Sequence, residues 1–471
     1  MQTNLDKQID SMRDDILAAI KQNMAINSVA GQAQEGMPFG KEPTRALEDV
    51  LAQARKMGFK TVNIDNMVGW AEYGEGDEMI AVSGHLDIVP AGDGWDYPPF
   101  GGEIHDGKLY GRGAVDNKGP IIGALCGLKA IKDLGLPLER RVRIIFGIAE
   151  ETGCGCLKHY SATQEAPVAG FTPDATYPII HAEKGLIIAH FSKKLAKGNK
   201  SDMNLTCLQG GVAPNVVPTL AEATIQVANA AQKAEDISRL IESKNWGEFM
   251  EVSANNGGKD EFYIMAEGVS AHGSTPELGK NAIIRLLACL ELLDIQPDIK
   301  AFAGSITRLI GEDTQGHGLG IFKEDEVSGK MVVCMGTTEL VEDEVRFSLN
   351  LRYPVTIKYD QVMPKLVDVL KAEGIETGKV EHMDALYLAP DTPLIQKLQK
   401  VYREKTGNEP TLIAIGGGTY AKCIANTVAF GAIFPERPLA IHVPNEYIEI
   451  EDLMAGIKIS AEAIRLLAQK D

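Results

Sequence analysis

Apolar and polar residues alternate in blocks along the chain, and the blocks predict strands separated by helices. Residues 79–83 and 141–149 are mostly apolar runs without a polar stripe, which is typical of strands buried on both faces. Residues 412–415 and 426–430 repeat this pattern. A helix is predicted for residues 120–134, because a proline stands in its first turn and a glycine follows its last. These blocks favour a mainly parallel sheet covered on both faces by helices.

The N-terminal residues favour helices. One amphipathic surface helix is predicted from apolar residues at helical spacing among polar ones, and these are Leu5, Ile9, Met12, Ile16 and Ile20. Residues 44–57 predict a second helix that ends at Gly58. No basic region followed by an apolar core stands at the N-terminus, so we expect no signal peptide.

The pattern changes in the middle of the chain. Helical stretches alternate there with strands in which every second residue is apolar, such as residues 345–353, which is typical of an antiparallel sheet with one covered face. The predicted helices are residues 231–243, 281–293 and 359–373. We therefore predict an α+β domain of residues 186–386, inserted into an α/β domain of residues 1–185 and 387–471.

Length and charge narrow the class of protein. The chain has 471 residues, which exceeds one ordinary hydrophobic core and agrees with two domains. A net charge of −18 without any Lys/Arg-rich run argues against nucleic acid and against an anionic membrane surface as partners. No apolar stretch is long enough to span a bilayer. Seven cysteines without regular spacing favour a reducing compartment, so we expect a cytoplasmic protein.

Two adjacent carboxylates, Glu150 and Glu151, follow the predicted strand at residues 141–149. Successive side chains of a strand point in opposite directions, so the two acids can have different tasks. One can hold a cation, which relieves the repulsion between nearby charges, while its neighbour moves protons. The alternative is a solvated turn with two surface acids.

A histidine and two aspartates stand in similar places. His85 follows the predicted strand at residues 79–83, where open α/β sheets bind ligands, and Asp87 can share its face. Asp116 lies in a glycine-rich loop before the next helix. The alternative for His85 is a structural histidine. The alternative for Asp116 is a helix-capping residue, although it lies three residues before Gly119 and the predicted helix start, which is early for a cap. A phosphate-binding loop is disfavoured because the Walker spacing is missing.

Asp174 and His442 add one acid and one histidine in comparable loop settings. The combined set holds two histidines and three carboxylates, with one glutamate to spare. This is the ligand set expected of a dinuclear site for zinc, or for manganese or cobalt. No cysteine pair has a convincing zinc spacing, which favours nitrogen and oxygen ligands.

Four sequence blocks resemble a known family. They are residues 83–90 (SGHLDIVP), 111–119 (GRGAVDNKG), 149–153 (AEETG) and 440–446 (AIHVPNE). In order and content they are similar to the co-catalytic zinc peptidases, the family of carboxypeptidase G, aminoacylases, carnosinases and succinyl-diaminopimelate desuccinylase. The resemblance covers nearly the whole chain and implies an α/β fold, with a mainly parallel-sheet metallopeptidase catalytic domain and an inserted α+β lid domain.

The resemblance implies how two metal ions would be held. It assigns His85 and Asp174 to one ion and Glu151 and His442 to the other. Asp116 would bridge both ions, and the peptide bond that follows it is expected to be cis. Zinc is the expected metal, with manganese or cobalt as alternatives.

Catalytic roles also follow from the resemblance. Glu150 becomes the general base, and Asp87 becomes the partner that orients His85. His272, in the predicted lid, becomes the donor that stabilises the oxyanion. The alternative for His272 is a turn histidine.

Four further residues are implied in substrate binding. Arg352 resembles the family arginine that grips a free C-terminal carboxylate, and Asn215 resembles its companion from the lid. Gly417 and Gly418 could present backbone amides to the same carboxylate. The alternatives are surface positions for Arg352 and Asn215 and a tight strand–helix turn for the glycines.

We predict from these residues a metal-dependent dipeptidase acting on unblocked dipeptides. Residues 182–185 (AEKG) and the large insertion are most similar to bacterial dipeptidases of the family, whose enlarged lid implies a monomer. An N-acyl amino acid deacylase and a tripeptidase are alternatives on the same scaffold. A binding protein built on an inactive peptidase is disfavoured, because none of the expected site residues is missing.

Overall fold

The computed structural model describes residues 3–196, 201–254 and 260–470. The chain forms two compact units. The first unit comprises Met1–Ala182 and Leu386–Asp471, and the second comprises Glu183–Ala385. These bounds lie within three residues of the predicted ones at residues 185 and 387. The roles of catalytic domain and lid for the two units stay predictions.

The α-helices of the described residues are, in chain order, α1 (Asn4–Ser11), α2 (Arg13–Met24), α3 (Lys41–Lys56), α4 (Lys118–Asp133), α5 (Gly155–Thr163), α6 (Ala230–Ser243), α7 (Ala282–Leu290), α8 (Pro297–Leu309), α9 (Met363–Ala372), α10 (Pro393–Thr406) and α11 (Ile450–Leu467). Short 3-10 turns occur at Pro276–Leu278, Tyr359–Gln361 and Tyr420–Cys423. Within the described ranges, no helix is both long and apolar enough to cross a membrane.

The strands are β1 (Lys60–Ile64), β2 (Val68–Tyr73), β3 (Met79–His85), β4 (Glu103–His105), β5 (Lys108–Tyr110), β6 (Arg141–Gly147), β7 (Ala169–Thr172), β8 (Ala175–Thr176), β9 (Ile179–Glu183), β10 (Gly185–Lys194), β11 (Asn204–Gly210), β12 (Leu220–Gln226), β13 (Met250–Ala254), β14 (Glu261–Glu267), β15 (Glu324–Asp325), β16 (Gly329–Lys330), β17 (Val332–Val341), β18 (Glu344–Tyr353), β19 (Glu376–Met383), β20 (Leu386–Tyr387), β21 (Leu412–Ile415), β22 (Thr427–Ala429), β23 (Ala432–Ile433) and β24 (Tyr447–Glu449).

The first unit is built on a mixed sheet with the strand order β1-β2-β6-β3-β7-β22-β9-β20, and β21 pairs with β9. Parallel pairing joins the central strands β6, β3, β7 and β22, whereas β1 and β2 pair antiparallel at one side. Alternate residues of β3 pack on opposite faces. Ile80 and Val82 join one hydrophobic cluster, which includes α4 and α11, and Met79 and Ala81 join another. Burial on both faces explains why these strands lack a polar stripe.

The amphipathic helix predicted at the N-terminus is wrong in one respect, because the structure has two helices there. The helix is interrupted at Met12, where α1 ends and α2 begins. The apolar residues Leu5, Ile9, Ile16 and Ile20 are buried, as an amphipathic helix predicts, and they join the core cluster that α4 and α11 also form. The helical period continues through the break, so the spacing alone contained no signal for it.

The second unit is an α+β structure around an eight-stranded sheet in the order β13-β14-β12-β11-β17-β18-β10-β19. Its neighbouring strands pair antiparallel, and β18 lies between β17 and β10. The predicted helices correspond to α6, α7 and α9, the last preceded by a 3-10 turn. Alternate residues of β10 and β18 enter one hydrophobic core, as expected for a sheet with one face packed against helices.

Candidate active site

The predicted metal ligands of the first unit gather where its parallel strands end. His85 is the last residue of β3, which pairs in register with Gly147 at the end of β6. Glu150 and Glu151 follow β6, and Asp174 follows β7. Because β6, β3 and β7 are parallel, their carboxyl ends lie at one edge of the sheet. The sheet therefore brings these side chains to the same place.

Asp116 lies between two histidines. Its Oδ1 is 2.9 Å from Nε2 of His85, and its Oδ2 is 3.0 Å from Nε2 of His442. Asp174 Oδ1 lies 3.5 Å from the same His85 nitrogen, and Glu151 Oε1 lies 3.0 Å from the His442 nitrogen. The peptide bond after Asp116 is cis, as the family resemblance implies.

The donor atoms form two groups that share Asp116. In one group, ligand atoms of His85, Asp116 and Asp174 lie within 4.8 Å of one another, and in the other the same holds for Asp116, Glu151 and His442. Each group offers imidazole nitrogen and carboxylate oxygen, which are ligands for zinc and related divalent ions. The residues therefore fit two divalent cations that share one bridging carboxylate.

The charged groups in the cluster shift one another's pKa values. Burial and the neighbouring carboxylates raise the pKa of Asp174 to about 6, against the attraction of His85. Hydrogen bonds to Asp116 and Glu151 raise the pKa of His442 to about 10, and burial opposes this. Without cations, protons on these groups reduce the repulsion among the carboxylates. Divalent ions can replace these protons, so metal binding is expected to release protons.

Glu150 lies beside the two groups. One of its carboxylate oxygens and ligand atoms of His85 and Glu151 lie within 4.8 Å of one another. Burial raises the pKa of Glu150 well above its usual value, and the negative charges of Asp174 and Glu151 raise it further. A carboxyl group with a raised pKa is suited to accept and return a proton near neutral pH.

Asp87 joins the end of β3 to the turn that carries the two glutamates. Its carboxylate is fully buried and accepts the backbone N–H groups of Glu150 and Glu151, both at 3.1 Å. Nδ1 of His85 lies 2.9 Å from the backbone oxygen of Asp87 and 3.5 Å from its Oδ1. Both partners are acceptors, so Nδ1 donates toward Asp87, and Nε2 faces the carboxylates of Asp116 and Asp174.

Residues 81–466 match the peptidase family M20/M25/M40. The chain belongs to this family. It is 36% identical over 474 residues to "Putative dipeptidase YtjP" of Bacillus subtilis (strain 168), with 99% of this chain and 100% of that protein covered. The resemblance of the four sequence blocks is thereby confirmed, and the protein is a peptidase, a hydrolase of peptide bonds.

Solved structures of low sequence identity share the fold. The di-peptidase Dug1p from Saccharomyces cerevisiae has a TM-score of 0.58 at 14% identity, with 99% of each chain covered. The YXEP protein of Bacillus subtilis, described as a dinuclear metal binding peptidase, has a TM-score of 0.50 at 11% identity, with 97% of this chain and 99% of that chain covered. These likenesses confirm the α/β metallopeptidase fold class.

Glu446 holds the loop that carries Asp116, a role that the sequence alone did not reveal. Its carboxylate is fully buried, and Oε1 accepts the backbone N–H groups of Gly113, Val115 and Asp116 at 3.0, 3.1 and 3.3 Å. Oε2 lies 2.7 Å from a terminal nitrogen of Arg112. Burial and the charge of Asp116 raise the pKa of Glu446 to about 7. Glu446 therefore connects the sequence block of residues 440–446 to that of residues 111–119.

Two further residues support His85. Oδ1 of Asn117 accepts the backbone N–H of His85 at 3.3 Å, and its Nδ2 donates to the backbone oxygen of Pro173 at 2.7 Å. The ring of Tyr420 meets the His85 ring edge-on, with centroids 5.8 Å apart. Gly84 leaves the room for Asn117, since a Cβ there would lie 2.2 Å from Oδ1. Asn117 stands in the glycine-rich block beside Asp116, which was the available signal in the sequence.

The predicted glycine site follows β21 in the first unit. Gly417 is half-buried and Gly418 is exposed. The next residue, Thr419, begins the 3-10 turn that holds Tyr420, and its Oγ1 accepts the backbone N–H of Ala421 at 3.2 Å. The binding role of the two glycines stays a prediction.

The predicted substrate residues of the second unit lie close together. Gly273 donates its backbone N–H to the oxygen of Asn215 at 2.7 Å, and Val216 forms a bridge with His272. Burial and the nearby positive charge of Arg352 lower the pKa of His272. Arg352 is itself buried, which lowers its pKa to about 10.

Replacing Glu446 by Ala is expected to lower the free energy of unfolding by about 3–5 kcal/mol. The reason is that three backbone N–H groups would stay buried after losing their acceptor. The buried guanidinium of Arg112 would also lose its carboxylate partner and keep only backbone oxygens. Urea unfolding of the metal-free protein measures the change. Glu451→Ala is the control, because Glu451 pairs with Arg13 in the same unit but is 79% exposed. Equal small shifts for both variants would show that Glu446 does not stabilise the loop.

Proposed function

We propose that this M20 peptidase is a metal-dependent dipeptidase that hydrolyses unblocked dipeptides. The observation that carries the proposal is the Asp116 carboxylate, which places one oxygen against His85 and the other against His442. The Bacillus subtilis relative, 36% identical over 99% of this chain, bears a dipeptidase name. The Dug1p structure of similar fold is also that of a dipeptidase.

Five residues would hold two divalent cations. In the proposed arrangement His85 and Asp174 would hold one ion, Glu151 and His442 would hold the other, and Asp116 would contribute to both. When bound, the ions would make a water molecule more acidic and polarise the carbonyl of the scissile bond. Zinc is the proposed metal, and manganese and cobalt accept the same ligands. The likeness in fold to a dinuclear metal binding peptidase supports two ions rather than one.

Glu150 is proposed to move the proton. Its carboxylate would take a proton from the attacking water and then deliver it to the nitrogen of the leaving amine. Burial and nearby negative charge, which raise the pKa of Glu150, favour the protonated form needed for the second step. Asp87 fixes the backbone of Glu150 through its N–H group, so the carboxylate is held at the edge of the sheet.

His272 is proposed to donate a hydrogen bond to the oxyanion of the tetrahedral intermediate. Its Nδ1 accepts the backbone N–H of Ser274 at 3.3 Å and lies 2.6 Å from the Ser274 hydroxyl. A neutral ring that accepts at Nδ1 carries its proton on Nε2. The lowered pKa of His272 favours this neutral form, whose Nε2–H is then available to the substrate.

Recognition of the free C-terminus is assigned to the remaining residues. Arg352 and Asn215 would bind the substrate carboxylate, and the backbone N–H groups of Gly417 and Gly418 would contact the same group. This assignment favours substrates with a free C-terminal carboxylate. We further infer a monomer that works in the cytoplasm, as the resemblance to bacterial dipeptidases with an enlarged lid implies.

A substrate panel tests the proposal. The chelated protein is expected to be inactive and to regain hydrolysis of dipeptides when zinc, manganese or cobalt is added. Because the proposed substrates are unblocked dipeptides, we expect tripeptides and N-acetyl amino acids to react at least about 10-fold more slowly in kcat/KM. Hydrolysis of N-acetyl amino acids without hydrolysis of dipeptides would instead identify a deacylase, and a preference for tripeptides would identify a tripeptidase.

A further inference from the structure

Strand β18 carries buried polar residues on the face opposite the hydrophobic core. Its residues alternate between the two faces of the sheet. The core-facing set is Val345, Phe347, Leu349 and Leu351. The opposite set is Ser348, Asn350 and Arg352, whose exposures are 0%, 0% and 5%. Buried polar groups in a sheet normally form hydrogen bonds, so each of these three side chains is expected to have a partner.

The orientation of the Asn350 amide is fixed by Arg352. Nε of Arg352 donates a hydrogen bond to Oδ1 of Asn350 at 3.0 Å. A guanidinium has no acceptor, so the oxygen of the amide and not its nitrogen must face Arg352. The Nδ2 group of Asn350 therefore points away from this bond and presents two N–H donors beside the guanidinium.

Nδ2 of Asn350 is buried and has no acceptor among the described residues. The strand register explains why. Asn350 is paired with Ile188 on β10 and with Cys334 on β17, and neither side chain offers a strong acceptor. Ser348 lies two residues before Asn350 on the same face of β18. It differs from Asn350 in having a side-chain partner, because its hydroxyl lies 2.6 Å from that of Thr337. A buried amide donor without an acceptor is unfavourable unless a ligand supplies one.

We propose that Asn350 is a substrate-binding residue that acts together with Arg352 on the C-terminal carboxylate of the peptide. In this arrangement Oδ1 holds the guanidinium in place, while the Nδ2 group donates a hydrogen bond to one carboxylate oxygen. The inference rests on the proposed dipeptidase function and adds a residue that its assigned carboxylate site did not include.

The chemistry of the two neighbours selects a carboxylate. Asn350 Nδ2 and the guanidinium of Arg352 are donors only, so together they match a group with two acceptor oxygens and a negative charge. A C-terminal amide matches less well, because its nitrogen would meet one of the donors. The pair therefore distinguishes a free peptide end from a blocked one.

Asn350→Asp is the decisive variant. The new carboxylate still accepts from Arg352, but it places a negative charge where the amide donor was. We expect KM for a dipeptide to rise about 10- to 100-fold with kcat nearly unchanged, whereas binding of the matching dipeptide amide changes less than about threefold. The inhibition constant of the amide is measured against the dipeptide, so the comparison does not depend on its turnover.

Two further variants complete the test. Asn350→Ala removes the donor without adding charge and is expected to raise KM for the dipeptide about 10-fold, which keeps the inference testable if Asn350→Asp does not fold. Ser348→Ala is the control, because Ser348 lies on the same face of β18 but not next to Arg352. This variant is expected to change KM for the dipeptide less than about twofold. Equal effects on dipeptide and amide, or an unchanged KM in both Asn350 variants, would overturn the role of Asn350 while leaving the dipeptidase function intact. Failure of the unmodified protein to hydrolyse dipeptides would overturn both.

Discussion

Replacing Glu150 by Gln is expected to lower kcat by about 10²- to 10⁴-fold while two metal ions stay bound. Gln keeps the size of the side chain and can still accept a hydrogen bond, but it cannot take a proton from water. The two groups that share Asp116 account for both ions without Glu150. Metal content after dialysis, together with kcat for a dipeptide, measures the two effects separately.

The neighbouring residue supplies the matched comparison. Glu151→Gln changes the same functional group one position further along, yet Glu151 lies 3.0 Å from His442 in the second group of ligands. This variant is expected to lose one metal ion as well as activity. If instead Glu150→Gln lost the ion and Glu151→Gln kept it, the roles of the two glutamates would be reversed, because Glu150 also has ligand atoms near His85.

The sequence predicted the strands that end at the candidate site, because local pattern decides where those strands lie. The strand β3 and the apolar run of β6 were recognisable from their composition, and parallel pairing brings their ends together. The residue types near these ends, His85 and the two glutamates, then indicated the chemistry. Short-range features thus placed His85, Glu150 and Glu151 at strand ends, and the pairing of those strands brings them together.

The supporting contacts were not predictable in the same way. Glu446 accepts from backbone N–H groups 330 to 333 positions earlier in the chain, and backbone groups leave no trace in the sequence. Asn350 illustrates a second difficulty. Every second residue of β18 is polar, which is typical of a solvent-facing side, yet Asn350 is completely buried. Periodicity shows which residues share a face but not what covers that face.

Asp116 ties the two proposed metal positions together, and this predicts an effect on both at once. Asp116→Asn is expected to weaken the binding of both ions by more than about 100-fold, the upper end of what outer residues contribute to metal affinity. The reason is that each carboxylate oxygen faces a different histidine, at 2.9 Å for His85 and 3.0 Å for His442. An amide removes the negative charge from both positions and turns an NH₂ group toward one histidine.

His442→Ala gives the contrasting result. His442 belongs to only one of the two ligand groups, so this variant is expected to lose one ion and to keep the other on His85, Asp116 and Asp174. Calorimetric titration of the chelated proteins with zinc measures how many ions each variant binds. Asp133→Asn, which changes a partly exposed residue at the far end of α4, is the control and is expected to bind two ions. If Asp116→Asn retained one tightly bound ion as His442→Ala does, the carboxylate would serve a single metal. The paired oxygens would then have to be explained by hydrogen bonds to protonated histidines alone, which the high pKa of His442 would also allow.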